Sequence, residues 1–424
     1  MKKQWISILA VGMTFGTAWA IRGQFGHEQG AAWAGGIGAL ALVLVSRRKD
    51  WYAKMLLIAF SAAIGWGAGG MISYGIVVGY GHSADLLNVL YGFLMLFVIG
   101  GLFGLLGGGL LGLTLDVSKR KRVNWGGLIA EMTAGGVIAY YFLIVQLELL
   151  MTPPRSEAWA ICLGAGLAML WYLVRNNFRS PLRVAFYSAI GAGFGFAFGN
   201  FLQILGNVLQ IDFNMWNVME YSIGFFGGCS MAYGVFSCEW SEQVSVPKRC
   251  ENIIAFFVIF VFIPYFVLTN SPLIEPLFRN SGELQKPDNI SVIGSITAIV
   301  IVVSAMLLGW FKTIRSEKIF DRNDVGLLFV IYFSAYVMIS YIVTGAFKGL
   351  FHLNHHLYIV NFIVILILLK KRFPAFFPYP ATELNSKKWL QYTMVIVFVI
   401  FILALIAINI HGEMGGANIR FHPF

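Results

Sequence analysis

Long apolar runs separated by short polar breaks dominate the chain. They fall at roughly 5–21, 32–46, 55–80, 88–115, 126–150, 157–174, 184–208, 217–237, 252–270, 290–311, 325–347, 355–370 and 389–410. Most reach the about 20 residues that an α-helix needs to cross the hydrocarbon core of a bilayer. The pattern therefore predicts an all-α polytopic membrane protein of about 13 transmembrane helices. Segments 32–46 and 355–370 are short, which points to tilted, re-entrant or neighbour-assisted helices there.

The runs also repeat. AWAxxxG occurs at Ala32 to Gly38 and at Ala158 to Gly164, and AFxxAIGxGxG at Ala59 to Gly69 and Ala185 to Gly195, both pairs 126 residues apart. A third set, Gly100, Gly101 and Gly107 against Gly227, Gly228 and Gly234, fits an offset of 127, and Met13-Thr14-x-Gly16 recurs as Met132-Thr133-x-Gly135. A duplicated unit of four helices has an even number of spans, so its copies are expected to be parallel and related by a pseudo-two-fold axis along the membrane normal. This divides the chain into a first four-helix repeat over 1–118, a second over 119–240 and an appended five-helix bundle over 251–424. The glycines of AIGxGxG read as close helix packing.

Charge then orients the helices. Thirteen spans place 24 of the 30 lysines and arginines on one side, leaving Arg22, Arg155, Arg279, Lys286, Lys348 and Arg420 on the other. The excess of positive loops predicts a cytoplasmic N-terminus and an outside C-terminus in the plasma (inner) membrane. Lys2 and Lys3, the run that follows and Ala18-Trp19-Ala20 also imitate a signal peptide, but the repeat counts that run as a helix. Composition agrees with a lipid environment: 58% of residues are hydrophobic, 12% charged and 47 are glycine, with a mean hydropathy of +0.75. The net charge of +10 is what cytoplasmic loops carry and calls for no nucleic acid. Four scattered cysteines, Cys162, Cys229, Cys238 and Cys250, read as reduced thiols.

Against this background the stretch AWAIRGQFGHEQGAAWAGG, Ala18 to Gly36, stands out. It sets Arg22, Gln24, His27, Glu28 and Gln29 between two apolar segments, and ionisable groups at membrane depth are costly enough to mark function. The second copy carries the longer IVQLELLMTPPRSE at the corresponding place, so one specialised loop on a duplicated scaffold would make a single asymmetric site. Glycines around Arg22 are expected to break the helix and aim backbone amides and the guanidinium at an anion. His82 and Asp85 follow the third segment, and Asn207, Gln210, Asp212 and Asn214 the seventh, which gives both copies a polar outer mouth. Glu131 and Glu220 interrupt apolar runs and need a proton or a partner; Tyr221 and Asn217 stand near Glu220 in sequence. Asn200 reads as a helix–helix hydrogen bond and as a ligand contact. The expected ligand-binding set is Arg22, Gln24, His27, Glu28, Gln29, His82, Asp85, Asn200 and Glu220, with His27, Glu28 and Glu220 able to carry protons.

His352 and His356 are spaced for one helical face but have no nearby carboxylate or cysteine, so no metal is expected. The tail HGEMGGANIRFHPF places His411, Glu413, Arg420 and His422 where they can cover the mouth. No Walker lysine loop, GxSxG elbow or HExxH occurs, and no cofactor is implied. Two function classes follow. One is a secondary transporter of a small, anionic solute, possible coupling ion the proton. The other is a membrane enzyme acting on a lipid-linked or periplasmic glycan or acyl substrate, with Arg22 holding an anionic group and His27, Glu28 or Asp85 as base and acid. Membrane lipids and a small anionic or glycan-like ligand are the expected partners.

Overall fold

The computed structural model describes residues 2–118, 121–241, 246–270, 289–315, 319–346, 353–371, 373–378 and 384–421. Every apolar segment lies on a helix. In chain order these are α1 (Lys2–Arg22), α2 (His27–Ser46), α3 (Met55–Gly70), α4 (Leu86–Asp116), α5 (Trp125–Gln146), α6 (Ser156–Arg175), α7 (Arg179–Val208), α8 (Met215–Phe236), α9 (Arg249–Thr269), α10 (Asn289–Thr313), α11 (Arg322–Val343), α12 (Leu353–Lys370) and α13 (Ser386–Ile410). Short helices Lys49–Tyr52 and Gly75–Tyr80 lie in the connections flanking α3.

Among the described residues, eleven of these helices are long and apolar enough to cross a membrane, which makes the chain a polytopic helical membrane protein. The two below that limit are α3, only 16 residues long, and α8, which carries Glu220 and many small residues.

Six helices close into a ring in the order α1, α2, α3, α4, α7, α8 and back to α1. Lipid offers no hydrophobic drive between helices, so the ring closes on backbone contact at small residues. A Cβ at Gly65 of α3 would stand 2.5 Å from the Leu106 carbonyl oxygen of α4, and one at Gly69 2.7 Å from Phe103 Cα. At the matching positions of the second AIGxGxG motif, Gly191 and Gly195 of α7 press on α8, at 2.6 Å from Phe226 O and 2.5 Å from Ser222 O. Likewise Gly38 of α2 packs on Phe15 of α1, while Gly164 of α6 packs on Gly135 of α5.

The helices that carry the shared motifs have different surroundings. The α1–α2 pair is part of the ring, whereas α5–α6 stands outside it, with α6 packed on α4 and only Leu128 and Gly136 of α5 buried. The five C-terminal helices, expected as one appended bundle, are spread around the ring. Tyr332 and Tyr336 of α11 stack on Trp33 of α2 with ring centroids 5.4 and 4.6 Å apart. Helix α12 packs on α1, and α13 lies against α4 and α7 in a separate apolar cluster.

Loops sort to two ends as helix alternation requires. At the basic end Arg48 pairs with Asp50 at 2.8 Å and donates to the Trp240 and Ser241 carbonyls, and Lys121 reaches Asp116 and the Asn177 carbonyl. Lys54, 3% exposed, donates to the carbonyls of Thr114, Leu115 and Val117 at 2.8–2.9 Å. Its ammonium thus satisfies acceptors that the end of α4 leaves open. The opposite end, the mouth, carries Arg22, Tyr74 and Glu220.

Candidate functional site

Helix α1 stops at Arg22, and the chain turns through 23–26 into α2. Gly26 has φ +94°, a conformation that residues with a Cβ rarely adopt, so the turn depends on this glycine. Gly30 lets α2 lie directly on the arginine: a Cβ there would stand 2.8 Å from Arg22 Cγ.

Arg22 is fully buried. Its Nη1 donates to Glu220 Oε2 at 2.6 Å and to the Tyr74 hydroxyl at 3.1 Å. The same hydroxyl donates to Glu220 Oε1. Nε donates to the His27 carbonyl and Nη2 to His27 Nδ1, both at 3.2 Å. Beside a guanidinium Nδ1 must accept, which puts the proton of His27 on Nε2. The guanidinium also lies over the Trp19 and Tyr74 rings, 4.8 and 5.6 Å from their centroids. Three segments far apart in sequence therefore meet: the α1–α2 turn, the α3 exit with Tyr74, and α8 with Glu220.

Below the cluster the ring is filled by aromatic side chains. Phe15, Trp19, Trp66, Phe103 and Phe196 are all fully buried, with Phe15–Trp66 at 4.6 Å and Trp19–Trp66 at 5.4 Å. The indole N–H groups of Trp19 and Trp66 have no acceptor. A cavity of about 480 Å³ opens at the mouth, bordered by Gly75 after α3 and by the start of α8. His82, Gln203, Asn207 and Asn214 give it polar edges, Phe213 and Trp216 an apolar face, and Gly415 and Gly416 of the tail close one side.

The other sequence candidates distribute as follows. Glu28 leaves the cluster and pairs with Arg155 at 2.9 Å near the surface. Its position at the start of α2 turns its side chain toward the connection between α5 and α6, which supplies the partner. Asp85 caps α4 instead of entering a site, accepting from Asn88 N at 3.0 Å and Asn88 Nδ2 at 3.1 Å. Gln24 turns to α11 and α12: its Nε2 donates to Tyr358 Oη at 3.3 Å and its Oε1 accepts from Ser340 at 2.6 Å. Gln29 is half-buried beside Gly26. Asn200 is fully buried behind the cavity wall and donates to Gln203 Oε1 at 3.0 Å.

Neither neighbour expected to satisfy Glu220 does so. Asn217 bonds the Ala20 carbonyl at 3.0 Å and Tyr358 Oη at 2.5 Å, and Tyr221 lies against Gly16. Glu131 pairs with Arg175 at 2.5 Å between α5 and α6. Tyr74 and Trp19 were absent from the sequence-based set, because an apolar run with a tyrosine in it gives no sign of what its hydroxyl meets. His352 and His422 lie outside the described residues.

Asn88 fastens the tail. It is fully buried, its Oδ1 accepts from the backbone N–H groups of Arg420 and Phe421 at 2.8 and 3.0 Å, and its Nδ2 donates to the Phe421 carbonyl at 2.9 Å. Met414 N and Asn418 N donate to the His82 and Gly79 carbonyls. The tail thus straps the mouth of the ring. No family model, curated protein or solved structure matches the chain.

Proposed function

We propose that the chain is a secondary transporter of a small anionic solute, with the Arg22–Glu220 pair as the element that exchanges an internal carboxylate for the cargo. The observation that carries this reading is a guanidinium with no exposure, held by one carboxylate, one hydroxyl and His27, and lying on the aromatic plug through Trp19. A buried ion pair is weak support for stability but a good two-state device, because a competing anion offers Arg22 the same partner chemistry. On displacement Glu220 takes a proton, so one negative charge and one proton move together without net charge. His27 stays with the guanidinium through Nδ1 and orients it.

The plug supports the same reading. Two buried indole N–H groups without acceptors each cost about 1–3 kcal/mol, so a rearranged plug that satisfies them competes with the present packing. The full proposal includes thirteen spans, a duplicated core whose paired helices meet at equivalent glycines, and an N-terminus on the cytoplasmic side of the inner membrane, so that the mouth faces outward. The enzyme alternative is less well supported, since Glu28 and Asp85 are engaged away from His27.

The test is a flux assay. Proteoliposomes loaded with a pH-sensitive dye are challenged with inorganic phosphate, succinate, gluconate and 4-hydroxybenzoate. The expected result is internal acidification with at least one anion, abolished in Arg22→Gln and Glu220→Gln. Transport that persists in folded Arg22→Gln overturns the reading, as does the absence of flux for every anion tested.

A further inference from the structure

A second cavity lies at the basic end, where α6 gives way to α7. Leu173 and Val174 of α6, Leu182 of α7 and Leu384 ahead of α13 make its walls largely apolar, while Asn177 and Arg179 add polar groups. Its volume of about 380 Å³ lies within the roughly 300–1,000 Å³ common for small-molecule sites. The apolar surface does not stop at the cavity. Leu167, Trp171 and Val174 are all exposed at i, i+4 and i+7, so a hydrocarbon-facing stripe runs from the cavity along α6. On the other flank Trp389, in the first turn of α13, stacks on Phe186 of α7 with ring centroids 4.3 Å apart, which brings the start of α13 to the same wall.

Cations gather around this opening from separate parts of the chain. Lys121 and Arg175 are already engaged, with Asp116 and Glu131 as partners. Arg179, Lys387 and Lys388 are exposed and have no carboxylate partner among the described residues. Arg179 lines the cavity itself, and the two lysines follow Leu384 by three and four residues. No carboxylate lines the cavity among the described residues. Uncompensated positive charge beside an apolar wall, on a chain that spans a membrane, complements a ligand with an anionic head and a hydrocarbon body. A soluble anion would use the charges and leave the cavity wall and the α6 stripe unmatched.

We propose that this cavity docks an anionic phospholipid, its phosphate at Arg179 with Lys387 and Lys388 and an acyl chain along Val174, Trp171 and Leu167. The site is separate from Arg22 and stands independently of the transporter reading.

The experiment is native mass spectrometry of the full chain released from detergent micelles, titrated with equimolar dioleoyl phosphatidylglycerol and dioleoyl phosphatidylcholine, which share their chains and differ in charge. The native protein is expected to retain phosphatidylglycerol at least threefold over phosphatidylcholine. Replacing Arg179, Lys387 and Lys388 together by glutamine should bring the two lipids level, and Arg179→Gln alone should already lower the ratio. Lys248→Gln with Arg249→Gln and Lys312→Gln removes the same charge elsewhere at the basic end and should leave the ratio as in the native protein. A hundredfold excess of glycerol 3-phosphate should not displace the lipid. A native ratio below threefold, a ratio unmoved by the cavity substitutions, or an equal loss in the distant triple variant would overturn the proposal. Displacement by glycerol 3-phosphate would overturn it too, since the occupant would then be a soluble phosphate ester.

Discussion

The Arg22–Glu220 pair can be tested by a cycle of charge removal. Glu220→Met leaves a fully buried guanidinium with only the Tyr74 hydroxyl and the His27 carbonyl and ring nitrogen as partners, and Arg22→Met leaves a carboxylate with Tyr74 alone. Breaking a buried pair from one side typically costs about 3–5 kcal/mol, while replacing both partners by apolar groups of similar volume is often neutral or better. Both side chains are essentially enclosed, at 0% and 6% exposure, so solvent screening does not dilute this figure. The singles should each lose about 3–5 kcal/mol, and Arg22→Met with Glu220→Met should recover most of it, giving a coupling of several kcal/mol. Unfolding of polytopic proteins is often irreversible, so the measurement is the half-life of the monodisperse peak in detergent at fixed temperature. If the double variant decays as fast as the worse single, the two residues act independently and the pair is not the unit described. A long-lived double variant with no flux would separate structural tolerance from activity.

Lys54 is pushed down to about 8 by burial, with Asp50 and Asp116 opposing, against an unfolded value near 10.5. The unfolded chain therefore binds more protons between those values, and stability should rise with pH from about 8 to 10.5 in the native protein but stay flat in Lys54→Met, as followed by thermal half-life. His82 is lowered below the ordinary histidine value of about 6.5, first by burial and further by His411, with the Gly415 backbone opposing. Its folded state favours the neutral ring, so native stability should fall relative to His82→Gln as pH drops below about 6.5; parallel curves would refute this. Gly65→Ala and Gly191→Ala drive a Cβ into backbone of the neighbouring helix and should each cost about 1–3 kcal/mol, whereas Gly101→Ala, with its nearest neighbour at 3.7 Å, should be near neutral by the same assay. Single cysteines at Arg155 and Arg315, with Cys250 replaced by serine, should be labelled from outside intact cells only at 155; labelling at 315 alone would invert the orientation.

The helices were legible because lipid demands long unbroken apolar runs, and all the segments read from hydropathy lie on helices. The break after Arg22 was legible as well, since glycine at 23, 26 and 30 is poor helix material and Gly26 does take a positive φ. The arrangement of the helices was harder to read. AIGxGxG marks close packing at Gly65 and Gly191 correctly, yet α2 packs broadly on α3 while its counterpart α6 barely meets α7. A motif records which face of a helix is small, not which neighbour comes to it. The third glycine set illustrates the same limit: Gly100 meets Ala192 and Gly193 of α7, whereas the contacts equivalent to Gly69–Phe103 and Gly65–Gly107 fall at Phe226 and Ser230. These run at an offset of 123, one helical turn away from the offset of 127 suggested by glycine spacing.

The site was legible as chemistry but not as pairing. A buried arginine must find a carboxylate, and the sequence offers Glu28 six residues away and Glu220 198 residues away. Proximity favours Glu28, but helix geometry decides otherwise. Because α2 restarts at His27, His27 faces back to the guanidinium while Glu28, about 100° further round the helix, looks outward to Arg155. That rotation forces the counter-charge to come from across the ring, and α8 supplies it from a helix too polar to pass as a confident membrane span. The low hydropathy of α8 and the unpaired state of Arg22 within its own segment are therefore two sides of one arrangement. An apolar α8 would span lipid more comfortably and leave the guanidinium at the centre of the ring without a carboxylate.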